Sequence, residues 1–90
     1  MMIRRTVFYS GRVQGVGFRY TACHVAGGYE VTGYVRNLDD GGVELVAEGE
    51  EGELAGFLAA LEERMHGHIR QKHETDSDAT GRYKGFSIQH

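Results

Sequence analysis

A chain of 90 residues with a formal net charge of −3 and one cysteine, Cys23, is short and mildly acidic. That length allows one domain, residues 1–90, burying about two-thirds of the surface exposed on unfolding. The lone cysteine excludes an internal disulfide framework, and the acidic balance argues against nucleic-acid binding through a broad basic face. No stretch approaches the ~20 apolar residues of a membrane span. No signal-peptide pattern is present either, so the expected setting is the cytoplasm, off the membrane.

Ile3, Arg5, Val7 and Tyr9 alternate with Arg4, Thr6 and Phe8, a period of two that predicts a strand. Phe18, Thr21, Ala22, Val25 and Ala26 then recur at helical spacing, and Gly27-Gly28 is expected to end that helix with a left-handed turn. A second strand over 30–38 runs into Asp39-Asp40-Gly41-Gly42, a hairpin signal. The third strand, 43–48, sets Val43, Leu45 and Ala47 against Glu44, Val46 and Glu48. Leu54, Phe57, Leu58, Leu61 and Met65 form the apolar stripe of a second helix with Glu50, Glu51 and Glu53 at its start. Gly52 and Gly56 weaken it by up to ~1 kcal/mol each. The polar run 68–76 predicts an edge strand, looser than the others, 76–81 a turn or loop, and Tyr83, Phe86 and Ile88 a closing strand. The order βαββαβ predicts an α+β, ferredoxin-like sandwich: an antiparallel sheet with both helices on one face.

Residues 11–19, Gly-Arg-Val-Gln-Gly-Val-Gly-Phe-Arg, break the ordinary chemistry of a helix start. No Ser, Thr, Asp or Asn caps the first helix, and Arg19 stands in a first turn where the dipole favours acids. The second helix obeys that preference. An anion in the loop removes both defects, because phosphate at a helix N-terminus accepts from free N–H groups and pairs with an Arg fork. Arg4, Arg5, Arg12 and Arg19 all fall in the first nineteen residues, while acids collect in 44–53, so positive charge is local despite the negative total.

The block Gly11-Arg12-Val13-Gln14-Gly15-Val16-Gly17-Phe18-Arg19, the run Gly33-Tyr34-Val35-Arg36-Asn37 and the segment Asp40-Gly41-Gly42-Val43-Glu44 together resemble the acylphosphatase family. The resemblance is strongest over 7–49 and weak over 66–82. It implies hydrolysis of acyl phosphates to a carboxylate and inorganic phosphate, with no metal and no cofactor. It also implies that Arg19 and the backbone amides of Gln14, Gly15, Val16, Gly17, Phe18 and Arg19 bind the phosphoryl group, while Asn37 positions the attacking water. The expected partner is a small-molecule acyl phosphate, handled by a monomer without nucleic acid or membrane. Glu30 stands where the family usually has a glycine, and the chain lacks the family's Gly-Pro-rich segment after the second helix.

The remaining residues fit that chemistry. A carboxylate leaving group, whose parent acid has a pKa near ~4, departs without a proton, so no general acid is needed. No paired carboxylates, catalytic His or activated Cys stand out. His66 and His68 have no third ligand near them in sequence and read as solvated, and Phe18 as core. Two other classes share the pattern: a non-catalytic anion-binding or regulatory module, including the N-terminal domain of the hydrogenase-maturation carbamoyltransferase, and an RNA-binding module of the same sheet topology. The second lacks its aromatic strand motif.

Overall fold

The computed structural model describes residues 1–90. The elements are β1 (Met2–Gly11), α1 (Phe18–Ala26), β2 (Thr32–Asn37), β3 (Val43–Glu50), α2 (Glu51–Arg64), β4 (Ile69–Asp78) and β5 (Phe86–Ile88). They build one five-stranded sheet in the order β4-β1-β3-β2-β5. Every neighbouring pair is antiparallel except β2 and β5, which run parallel. The first four strands are the ferredoxin-like arrangement, and β5 extends it beyond β2. No helix is long and apolar enough to cross a membrane.

One face of the sheet carries the core. Val7 and Tyr9 of β1, Val43 and Leu45 of β3, and Val35 of β2 are buried there against Phe18, Ala22, Leu54, Phe57 and Leu61 of the two helices. The period-two and helical patterns therefore specify the buried faces as expected. Tyr9 packs on Phe18 with ring centroids 5.1 Å apart. Its hydroxyl donates to Glu62 of α2 at 2.8 Å. Burial, with Glu62 beside it, pushes the Tyr9 phenol well above its ordinary pKa.

Four expectations change. β2 begins at Thr32 rather than at 30, and neither Gly27 nor Gly28 is left-handed. Glu30 instead gives its N–H to Glu53 of α2 at 2.7 Å, so a side chain supports the entry into β2. Gly56 does not merely weaken α2: a Cβ there would stand 2.7 Å from the Tyr29 ring, so the missing side chain admits an aromatic. β4 runs two residues past 76 and pairs with nearly all of β1. Its side chains are almost wholly exposed, yet Arg5 grips Asp76 and Lys72 reaches Glu62 and Glu74. Backbone pairing and this charge ladder hold a strand that has no apolar face of its own.

β3 is buried on both faces, which alternation alone did not predict. On the face opposite the helices, Glu48 is only 2 % exposed. The segment after β4 folds over it: the Thr80 N–H, the Thr80 hydroxyl and the Gly81 N–H all donate to its carboxylate at 2.8–3.0 Å. Burial raises the Glu48 pKa, but these bonds and nearby Arg4 outweigh it and hold the carboxyl below its ordinary value. A carboxylate depressed in the folded state stabilises the fold above its unfolded pKa and loses that contribution as pH falls through the folded value. Glu48→Gln is therefore expected to be less stable than wild type at neutral pH in urea unfolding. The gap should shrink as pH drops below about 4.5.

Candidate active site

β1 and β2 both run antiparallel to β3, so their C-terminal ends lie on one edge of the sheet. The chain leaves β1 there and reaches α1 through Val13, which is buried at 1 % exposure and anchors the turn in the core. Gly15 and Gly17 then take left-handed conformations, φ 77° and 80°, which a side chain would strain. Gly17 is the helix cap; it offers no side-chain bond, and the first turn contains no acid. The defect visible in the sequence is thus present in three dimensions.

The loop amides are free. The first helical N–H with a protein acceptor is that of Thr21, donating to the Gly17 carbonyl at 2.9 Å. Those of Gln14 through Arg19 donate to no protein atom. Arg19 is half-buried and makes no ion pair with any carboxylate, whereas Arg5, Arg36 and Lys72 are each paired. A ring of peptide donors with an uncommitted guanidinium suits a tetrahedral oxyanion.

Asn37 is the last residue of β2 and is half-buried; its Oδ1 is buried with no hydrogen-bond donor. An unsatisfied buried amide oxygen costs about 1–3 kcal/mol, which marks Asn37 as a residue whose polar group the fold does not use.

The structure ties the loop to the hairpin after Asn37 through the Gln14 side chain, where the sequence points only to the Gln14 backbone amide. Gln14 Nε2 donates to the Leu38 carbonyl at 2.7 Å and to the Gly42 carbonyl at 2.8 Å. Both of its hydrogens are spent on the hairpin that follows Asn37. The loop is thereby fixed to the residue adjoining the Asn without using a single main-chain N–H. Nothing in the spacing of the sequence announces this clamp. Asp40 Oδ1 accepts from the Gly42 N–H at 2.8 Å and sets the turn that presents both carbonyls.

Other candidates fall outside the site. Cys23 is half-buried, and burial pushes its thiol pKa up, which lowers its reactivity at neutral pH. His66 and His68 belong to no cluster of metal-ligating side chains. A groove lined by Phe8, Ser10, Leu38, Asp40 and His73 lies beside the same hairpin but contains neither Arg19 nor Asn37.

Residues 5–88 match the acylphosphatase family model. The chain is 39 % identical over 90 residues to an acylphosphatase of Methanospirillum hungatei, covering 98 % of each protein. It is 51 % identical over 61 residues to the acylphosphatase of Clostridium acetobutylicum, covering 68 % of this chain and 67 % of that one. The crystal structure of acylphosphatase from Bacillus subtilis superposes with a TM-score of 0.89 at 35 % identity, over 98 % of this chain and 99 % of that one.

The chain belongs to the acylphosphatase family. Its reaction is the hydrolysis of an acyl phosphate to a carboxylate and inorganic phosphate. Within the family fold, the Gln14 clamp makes a separable structural contribution. Gln14→Ala removes two hydrogen bonds and is expected to lower stability by about 1–3 kcal/mol in urea unfolding. Turnover of benzoyl phosphate should fall with it, measured at a temperature where the variant remains folded.

Proposed function

We propose that Arg19 and the amides of Gln14, Gly15, Val16, Gly17, Phe18 and Arg19 hold the phosphoryl group of the substrate, and that Asn37 orients the attacking water. One observation carries this reading: free loop donors and an unpaired guanidinium are tied by Gln14 to the residue beside a buried, unpartnered Asn37 oxygen.

In this mechanism the half-buried Asn37 side-chain amide holds the water so that a lone pair turns toward phosphorus. The new P–O bond forms as the bond from phosphorus to the acyl oxygen breaks, and the electron pair leaves with the carboxylate. No proton need reach that leaving group. Asn37 cannot take the water proton at neutral pH, so a phosphoryl oxygen accepts it. Arg19 and the amides stabilise charge on the equatorial oxygens, a task for prearranged donors. Because the loop is already open, no protein hydrogen bond has to break before these contacts form.

The same reading takes residues 1–90 as one domain acting as a cytoplasmic monomer on a small-molecule acyl phosphate. A single core cluster of 17 buried residues spanning the sheet and both helices supports the domain assignment. Light scattering should give a mass near 10.0 kDa.

The decisive assay follows benzoyl phosphate above its spontaneous loss. Arg19→Ala is expected to lower kcat/KM on the order of 10³-fold, as for other arginines that meet a transferring phosphoryl group. Asn37→Ala should reduce kcat while leaving competitive inhibition by inorganic phosphate nearly unchanged, because water positioning acts mainly in the transition state. Addition of EDTA should leave the wild-type rate as it was. Wild-type rates equal to buffer, or an Arg19→Ala variant as fast as wild type, would overturn the assignment.

A further inference from the structure

A second cleft adjoins the phosphoryl cradle. Gly11, Arg12, Gly67, His68, Ile69 and Arg70 line it, giving two guanidiniums and an imidazole with no carboxylate among them. Arg12 and Arg70 are exposed, and neither is engaged in an ion pair or side-chain hydrogen bond, in contrast to Arg5, Arg36 and Lys72.

The backbone brings these two arginines together by design of the strand pair. Ser10 faces Gln71, but Gly11 faces Ile69, so the register shifts and Arg70 is the extra residue of a bulge. Bulges redirect the side chain they carry and recur beside functional sites. The Arg12 N–H donates to the His68 carbonyl at 2.8 Å. Gly11 lies so near that a Cβ would stand 2.5 Å from that carbonyl oxygen and 2.7 Å from the Arg70 nitrogen. The turn after α2 is therefore docked tightly onto the start of the cradle. His68 Nδ1 is buried there without a partner. Arg12 precedes Gln14 by two residues, so the cleft begins within about 7 Å of the first cradle amide along the chain.

We propose that this cleft is a second anion subsite, selecting acyl phosphates whose acyl group carries a further carboxylate or phosphate. It rests on the cradle assignment above: the phosphoryl group occupies the loop amides and Arg19, and the distal oxyanion lies between Arg12 and Arg70. A guanidinium fork matches either anion. Both arginines face water, so their attraction is screened and the gain is modest and sensitive to salt. The distal charge is remote from the bond that breaks, so it is held equally in ground and transition states. The preference consequently appears in KM and not in kcat.

Steady-state kinetics with three substrates test the subsite: benzoyl phosphate, 4-carboxybenzoyl phosphate and 4-phosphonobenzoyl phosphate, each at low and high sodium chloride. Wild type is expected to show a KM about fivefold lower for the carboxylated and phosphonylated substrates at low salt, shrinking at high salt. In the Arg12→Gln/Arg70→Gln double variant that advantage should vanish, with benzoyl phosphate hydrolysed as fast as by wild type. The two anionic substrates distinguish a carboxylate from a phosphate preference. Equal KM values for all three substrates in wild type would overturn the subsite, as would a preference that survives in the double variant. A wild-type protein inactive on benzoyl phosphate would remove the cradle assignment, and the subsite with it; activity without preference removes the subsite alone.

Discussion

Between β1 and α1 the peptide donors have nothing in the chain to accept from them, and much of the fold serves to keep them so. An ordinary loop would relax by bonding its N–H groups to a cap residue or a neighbouring carbonyl. Two left-handed glycines prevent that relaxation by turning the chain where a side chain would be strained. Gln14 supplies the stiffness that backbone bonds would otherwise give, through an amide that meets two carbonyls of the next hairpin. Helix α2 shows the ordinary solution, with Glu51 and Glu53 in its first turn. Neither helix has a side-chain cap bond; the two starts differ in the acids of the first turn, present in α2 and absent in α1.

That arrangement depends on the sheet. β3 lies between β1 and β2 and runs against both, so the cradle and Asn37 emerge on the same edge with no long connection. Phe18, the first residue of α1, is buried against Tyr9 near the end of β1, so the helix start is fixed from below. Tyr9 in turn reaches Glu62 on α2. A costly loop is thus carried by aromatic packing and one buried hydroxyl bond, interactions of roughly 1 kcal/mol each beyond the area they bury. The edge beside β1 is secured differently, by β4 and its ion pairs with Arg5 and Glu62.

Most of this was legible in the sequence because it is written in local rules. Period-two strands, an apolar helical stripe and a Gly-Gly hairpin are each decided within a few residues, and they placed the elements and the buried faces. The uncapped, acid-free start of α1 was legible for the opposite reason, as a place where local rules fail around Arg19. The family resemblance added Asn37, which spacing alone leaves as a plausible turn residue. Long-range contacts were not legible. Gln14 meets carbonyls 24 and 28 residues away, and Glu48 is buried by residues 32 and 33 positions later. β4 is the edge strand its polar run predicts, but the extent of its pairing with β1 depends on main-chain groups, which carry no side-chain signature. Gly27-Gly28 end α1 as expected, but through right-handed turns whose N–H groups reach back to the His24 and Val25 carbonyls.

A net negative protein that binds a dianion looks contradictory until the charges are placed on the fold. Glu48 and Glu50 end β3, and Glu51 and Glu53 begin α2, at the end of the sheet where β1 starts. The cradle lies at the other end of β1, ten residues away, or about 30 Å of extended chain. The molecule itself is 33 Å along its longest axis, while exposed charges are screened over about 8 Å at physiological salt. An approaching acyl phosphate is therefore little affected by these four acids, while Asp39, Asp40 and Glu44 lie at the loop's own end of the sheet. Arg12, Arg19 and Arg70 are the arginines near the loop with no carboxylate partner, whereas Arg4 and Arg5 stand opposite Glu48 and Ala47 at the other end of β1.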